Sequence, residues 1–199
     1  KELITDTSDD ILYRICTAEQ AISELIQGIG FRAVAWNKLY RRSILNDEYF
    51  EVGGYHEDEF FTYRILDKAT CLTYIAKPLY FYRQRKGSIM SSISPKHLDI
   101  LDAYLERLSL LKKKYPSLYH KDAITFCVSC IGLLQSAYST LGDDVTAYIQ
   151  RIKFCRKQLN FTLIDFFSYS FRDQVYILGS AYFLVPFSKL VQIKRRTNG

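Results

Sequence analysis

An α/β segment followed by an all-α region is the fold class this chain predicts, from three observations. Between residues 57 and 83 one helical pattern is followed by two short runs of strand character. From Ser94 onward every apolar pattern has a helical period. The chain of 199 residues is 48% hydrophobic and 24% charged, long enough to bury a core and unlike a disordered or low-complexity chain. Residues 1–93 are therefore expected to be mixed α and β, and residues 94–199 to be helical.

The elements follow in order. Ser8-Asp9-Asp10 reads as the cap of a first helical turn through Ile11, Leu12 and Ile15. Thr17 and Gln20 form a capping-box pair ahead of Ala21, Ile22, Leu25 and Ile26, and Gly28 stops that helix. Phe31 to Ala35 is short and extended, and Trp36 to Leu45 reads as an amphipathic helix with Lys38, Arg41 and Arg42 on its basic face. A helix from Glu57 to Ala69 buries Phe60, Phe61, Ile65 and Leu66. Cys71 to Ile75 and Leu79 to Arg83 are the two strands, with Pro78 at the mouth of the second, and Gly87-Ser88 is a flexible turn. Too few strands are present for a complete sheet.

Ser94-Pro95 caps the next helix, whose stripe is Leu98, Leu101, Leu105 and Leu108 until Tyr115-Pro116 breaks it. The helix from Ala123 to Leu141 is apolar all round, which places it at the centre of the helical region. After Gly142-Asp143-Asp144 a helix turns Val145, Tyr148, Ile149, Ile152 and Leu159 inward. Helices over about residues 163–171 and 173–193 complete the chain.

Five cysteines lie within apolar stretches, and the Cys127–Cys130 pair has no second pair with which to bind zinc. Buried free thiols and a reducing compartment are expected. A net charge of +6 points to anionic partners: phospholipid headgroups, a nucleotide diphosphate or nucleic acid. The only methionine is Met90 and the chain begins at Lys1, so a longer parent protein is expected.

Most of the chemical information lies between Phe31 and Met90. The blocks Trp36-Asn37-Lys38-Leu39-Tyr40, His56-Glu57-Asp58-Glu59 and Tyr80-Phe81-Tyr82-Arg83-Gln84-Arg85-Lys86-Gly87-Ser88 set acids at a helix start and cations after an aromatic run. Their order and wording resemble the second half of the catalytic domain of bacterial family 2 glycosyltransferases, of the non-processive type that builds capsule, exopolysaccharide or lipopolysaccharide. The resemblance covers roughly residues 30–92 specifically and the helices after them loosely.

It implies a partial GT-A fold, with a Rossmann-like sheet lacking its N-terminal half, and an inverting transfer of sugar from a nucleotide-sugar donor to a glycan or lipid-linked acceptor. Asp58 is then the catalytic base and Glu57 its partner in the acid pair, with His56 and Glu59 beside the acceptor. The residues alone also allow a plain helix cap in solvent. Trp36 either meets a sugar face or anchors its helix. Arg83, Arg85 and Ser88 either meet the diphosphate or form a solvated strand end; Gln84-Arg85 resembles the family's glutamine-arginine element, and the processive enzymes' closing tryptophan is absent.

The family's Asp-x-Asp motif, which holds Mg2+ or Mn2+ on the diphosphate, does not occur, and no metal ligand is assigned in this chain. The metal's ligands are expected mostly in the N-terminal half, so this stretch alone should be inactive.

The apolar run from Val175 to Phe187, with Lys189, Lys194, Arg195 and Arg196 after it, is too short to cross a bilayer, which takes about 20 residues. It suits either an interfacial segment or a cover for the bundle. With lipid-linked acceptors in the family, a cytoplasmic location at the inner face of the membrane is expected. The rival is a non-catalytic basic helical module that binds protein or membrane. A nucleic-acid binder using Tyr80, Phe81, Tyr82, Arg83 and Arg85 carries no recognised motif and is set aside.

Overall fold

The computed structural model describes residues 4–6, 11–50, 52–83, 94–142, 144–159 and 161–197. The chain divides into two compact units, Lys1–Ser88 and Ile89–Gly199.

In the first unit, β1 (Ile4–Asp6), β2 (Ile11–Cys16) and β3 (Leu72–Ile75) form an antiparallel sheet in the order β1-β2-β3. The expected helical turn at 11–15 is therefore a strand. Ile11 and Ile15 sit four apart, which imitates a helical stripe, but this segment hydrogen-bonds along both edges, and pairing overrides spacing. Its register sets Arg14 opposite Tyr74 and Cys16 opposite Leu72, so alternate residues share the inner face while Ile15 points to solvent.

Helix α1 (Ala18–Gln27) starts at the expected capping box, with Gln20 N–H donating to Thr17 Oγ1 (3.2 Å) and Thr17 N–H to Gln20 Oε1 (3.0 Å). It ends on Gly28 at φ 67°. Glu24, only 2% exposed, faces the sheet and pairs with Arg14, whose guanidinium lies 4.6 Å from the Tyr74 ring centre. A Cβ on Gly30 (φ 60°) would come within 2.2 Å of the Glu24 carboxylate, so glycine there makes room for the ion pair.

The expected helix over 36–45 is instead two 3-10 turns, Ala35–Asn37 and Arg42–Leu45, with Lys38 and Arg41 extended between them. Leu39 is fully exposed, so no apolar stripe exists to stabilise a continuous helix. Helix α2 (Glu57–Lys68) matches the expected element, except that Phe60 is only half-buried. It packs on α1, and each fully buried side chain among Phe61, Ile65 and Leu66 contributes about 1.5–3 kcal/mol.

Residues 79–83 are not a strand. Tyr80 and Tyr82 turn to one side and stack on Trp36, while Leu79 and Phe81 stay exposed. The alternation survives, but its partner is a ring and not a neighbouring strand.

The second unit is helical. A 3-10 turn (Pro95–Leu98) capped by Ser94 leads into α3 (Asp99–Lys114), and Tyr115-Pro116 separates it from α4 (Pro116–Leu141). The remaining helices are α5 (Thr146–Lys157), α6 (Leu163–Ser168), α7 (Phe171–Ala181) and α8 (Leu184–Thr197). Helix α4 packs against α3, α5, α7 and α8, burying Phe126, Cys127, Cys130, Ile131 and Leu134. It is long and apolar enough to span a bilayer, but those contacts make it the hub of this unit.

Arg107 on α3 and Asp122 on α4, 2% and 0% exposed, form a two-pronged ion pair at 2.9 and 2.6 Å. The expected single helix over 173–193 is broken at Tyr182-Phe183. Pro186 cannot donate its bond, and its ring would meet the carbonyl of residue 182 in a continuous helix. The chain folds back closely, and a Cβ on Gly179 would lie 2.3 Å from the Phe187 ring.

Candidate active site

All the described candidate residues lie in the first unit, and His56, Glu57, Asp58 and Glu59 lie at the start of α2. Gly53 turns the chain at φ 84°, and His56 takes the N-cap position at φ 59°, the one positive φ outside glycine among the described residues. Such a conformation costs on the order of 1 kcal/mol or more and is held only where the surroundings impose it. Glu57, Asp58 and Glu59 then fill the first turn, where the helix dipole favours negative charge. The three are not equivalent. Glu57 is exposed, whereas Asp58 and Glu59 are half-buried.

Burial, and next the neighbouring Glu57 charge, raise the Asp58 carboxyl above its ordinary value of 3.8; backbone N–H groups and His56 only partly oppose this. A carboxylate moved toward neutral pH, with part of its surface open, is suited to accept a proton from a hydroxyl.

The segment that carries Trp36 lies against this helix. Thr62, buried on α2, donates its hydroxyl to the Ala33 carbonyl, and the Tyr40 ring meets Phe61 edge-on at 5.7 Å. Lys38 turns its ammonium back onto its own loop, donating to the carbonyls of Arg32 and Val34 and to Asn37 Oδ1, the last two at 2.6 and 2.8 Å. Burial pushes the Lys38 pKa down to about 8, against an upward pull from the Asp58 carboxylate. Tyr40 is pushed up to about 12 by burial and then by Asp58. Lys38 and Tyr40 are the residues that the sequence did not single out for the site. Their cue was only that they share a block with Trp36.

Trp36 stacks on Tyr80 with ring centres 4.4 Å apart and on Tyr82 at 5.1 Å. Arg83 follows, exposed. Arg85 and Ser88 lie outside the described residues. Among the described residues no three His, Cys, Asp or Glu side chains converge as a metal site would need, so they do not fit the divalent cation that the family pattern implies.

A cleft of about 650 Å³ does open in this unit, lined by Arg41, Ser43, Asn46, Lys68 and Cys71 among others. It sits at the far end of α2, about 15 Å along the helix from Asp58 at 1.5 Å per residue. The acids are not part of it.

Comparison with known proteins finds two similar sequences. The chain is 34% identical over 113 residues to the glycosyltransferase GlyA of Streptococcus pneumoniae serotype 4, an overlap of 56% of this chain and 16% of that protein. It is 32% identical over 141 residues to the putative glycosyltransferase EpsH of Bacillus subtilis, covering 67% of this chain and 39% of that one. The chain thus spans well under half the length of either relative. No family model and no solved structure matches. The two similarities support a glycosyltransferase.

Proposed function

We propose that this chain is the acceptor-side part of an inverting, family 2 type glycosyltransferase of GT-A architecture. It moves a sugar from a nucleotide-sugar donor to a glycan or lipid-linked acceptor in surface polysaccharide synthesis. The observation that carries this reading is the environment of Asp58, half-buried in the first turn of α2 with its carboxyl raised and Lys38 and Tyr40 in its field.

In the proposed step Asp58 takes the proton of an acceptor hydroxyl as that oxygen attacks the anomeric carbon from the face opposite the diphosphate. The bond to the diphosphate breaks, and the electron pair leaves with it. Glu57, exposed beside Asp58, accepts hydrogen bonds from neighbouring acceptor hydroxyls, with His56 and Glu59 at the margins. Arg83, Arg85 and Ser88 are assigned to the departing diphosphate, since arginine binds phosphate oxygens two at a time. Any Mg2+ or Mn2+ on the diphosphate in the parent enzyme would be held mostly by residues other than these, and no step of the chemistry assigned to these residues runs through it.

A peripheral contact at the inner face of the cytoplasmic membrane belongs to the same proposal. Its support is the exposure of Tyr182, Phe183 and Leu190 around the α7–α8 elbow, with Lys189 beside them.

The test is transfer by the parent enzyme, read as nucleoside diphosphate release dependent on acceptor. Asp58→Asn should lower kcat by about 10²–10⁴-fold, the usual worth of a positioned base, with donor affinity unchanged. A variant that keeps most of its activity would remove Asp58 from the role and direct attention to Glu57.

A further inference from the structure

Tyr80 and Tyr82 alternate with Leu79 and Phe81, and this period brings two phenol rings onto one side of the segment, where both pack on Trp36. Their planes lie 27° and 4° from that of the indole. Rings stacked so closely are normally removed from water, yet Trp36, Tyr80 and Tyr82 remain 43%, 52% and 56% exposed. They form a built, half-open aromatic surface.

We infer that Trp36, Tyr80 and Tyr82 form a platform that binds a neutral pyranose ring of the acceptor glycan. This deepens the glycosyltransferase reading and rests on it. A pyranose has an apolar C–H face and a rim of hydroxyls. The rings offer a flat apolar face, and the Asn37 amide and the phenol hydroxyls offer a polar rim. The platform is also held in place. Lys38 ties the backbone at 32 and 34 and the Asn37 side chain around the Trp36 turn, and Thr62 fastens residue 33 to α2. The turn that carries Trp36 also carries Lys38, which lies in the field of Asp58.

A nucleobase lies on an aromatic face as readily as a sugar does. Arg83, assigned to the departing diphosphate, directly follows Tyr82, so a nucleotide is tested beside the glycans as the competing occupant.

Trp36 is the only tryptophan, so its emission reports on the platform without a label. The 199-residue chain would be titrated with cellotetraose, chitotetraose and β-1,4-galactotetraose. At least one should give a saturable change in Trp36 emission. Tyr80→Ala and Tyr82→Ala should each weaken that binding about 2- to 10-fold, the worth of one aromatic contact. Tyr80→Phe and Tyr82→Phe, which keep the rings, should retain it, and thermal melts would confirm that all four variants fold.

The inference is overturned by no change with any of the three glycans, by parent-like binding in both alanine variants, or by displacement of the bound glycan by uridine diphosphate or anionic phosphatidylglycerol vesicles. Transfer assays separate it from the reading on which it rests. Transfer with an unaltered acceptor KM in both alanine variants would remove the platform and leave the enzyme. Glycan binding without transfer by the parent enzyme would keep the platform and remove the enzyme reading.

Discussion

Lys38 and Asp58 come from separate elements, an extended link and a helix start, yet the carboxylate acts directly on the ammonium. At Asp58 itself burial and Glu57 raise the carboxyl, and the opposing pull comes from backbone N–H groups and His56. Lys38 closes the Trp36 turn through three oxygen acceptors while Asp58 partly offsets the burial that lowers its pKa.

The pH dependence of transfer should carry both groups. The acid limb should lie above the ordinary aspartate value because the Asp58 carboxyl is raised. The alkaline limb should fall near pH 8 as Lys38 loses its proton; Tyr40, at about 12, titrates too high to cause it. Lys38→Met should be slow and lack that limb, and Lys38→Arg should move it beyond the measurable range. A Lys38→Met profile that keeps the limb would assign it to another group.

Stability should show the same lysine with a definite sign. Folding lowers the Lys38 pKa from 10.5 to about 8, so between those values the unfolded chain holds more protons than the folded one. Stability contributed at this site should therefore rise with pH across that window. Urea melts at intervals from pH 7 to 10.5 should show the rise in the parent and a flatter profile in Lys38→Met.

Asp58→Asn should separate stability from activity. Because the carboxyl is raised on folding, the folded state favours its protonated form, and stability from this group falls as pH rises through its folded value. Removing the charge should hold or raise the unfolding temperature at pH 7 while transfer is lost. A lower unfolding temperature would mean that the carboxylate chiefly serves the helix dipole.

Arg83→Ala should weaken nucleoside diphosphate binding by about 1.5–3 kcal/mol if its guanidinium reaches the phosphates, read by calorimetry on the parent enzyme. An unchanged affinity would make Arg83 a solvated side chain and leave Arg85 to be tested alone.

Asp122→Ala should destabilise the helical unit by about 3–5 kcal/mol, because it strands the buried Arg107 charge between α3 and α4. Arg107→Met with Asp122→Leu should recover much of that loss in a chemical melt. If the single change costs under about 1 kcal/mol, the pair behaves as a surface bridge does.

Signals confined to a few neighbouring residues were legible in the sequence. Thr17 with Gln20, Gly28, Ser94-Pro95 and Pro116 set helix ends through local hydrogen bonds and fixed φ angles, and each appears where expected. The apolar character of α4 also revealed its central position. Features that depend on distant partners were not legible. Ile11–Cys16 became a strand because β1 and β3 flank it. The Trp36–Leu45 stretch lost its helix because Lys38 spends its charge on loop carbonyls and Leu39 finds nothing to cover it. Tyr80 and Tyr82 looked like strand residues, and only the fold supplied Trp36 as their neighbour. At the acid cluster the residue types were visible, but the difference in exposure between Asp58 and Glu57 is a property of packing.

Pro186 has a consequence for the length of the C-terminal arms. Without it, α7 and α8 could run on as one helix from 171 to 197, although the apolar run within it, Val175 to Phe187, would still fall short of the roughly 20 residues that a bilayer core accepts. The imino acid divides that length into two arms, each too short to span. Pro186→Ala should therefore lengthen and straighten this tail, read as a gain in helical circular dichroism, without giving it a membrane-spanning stretch.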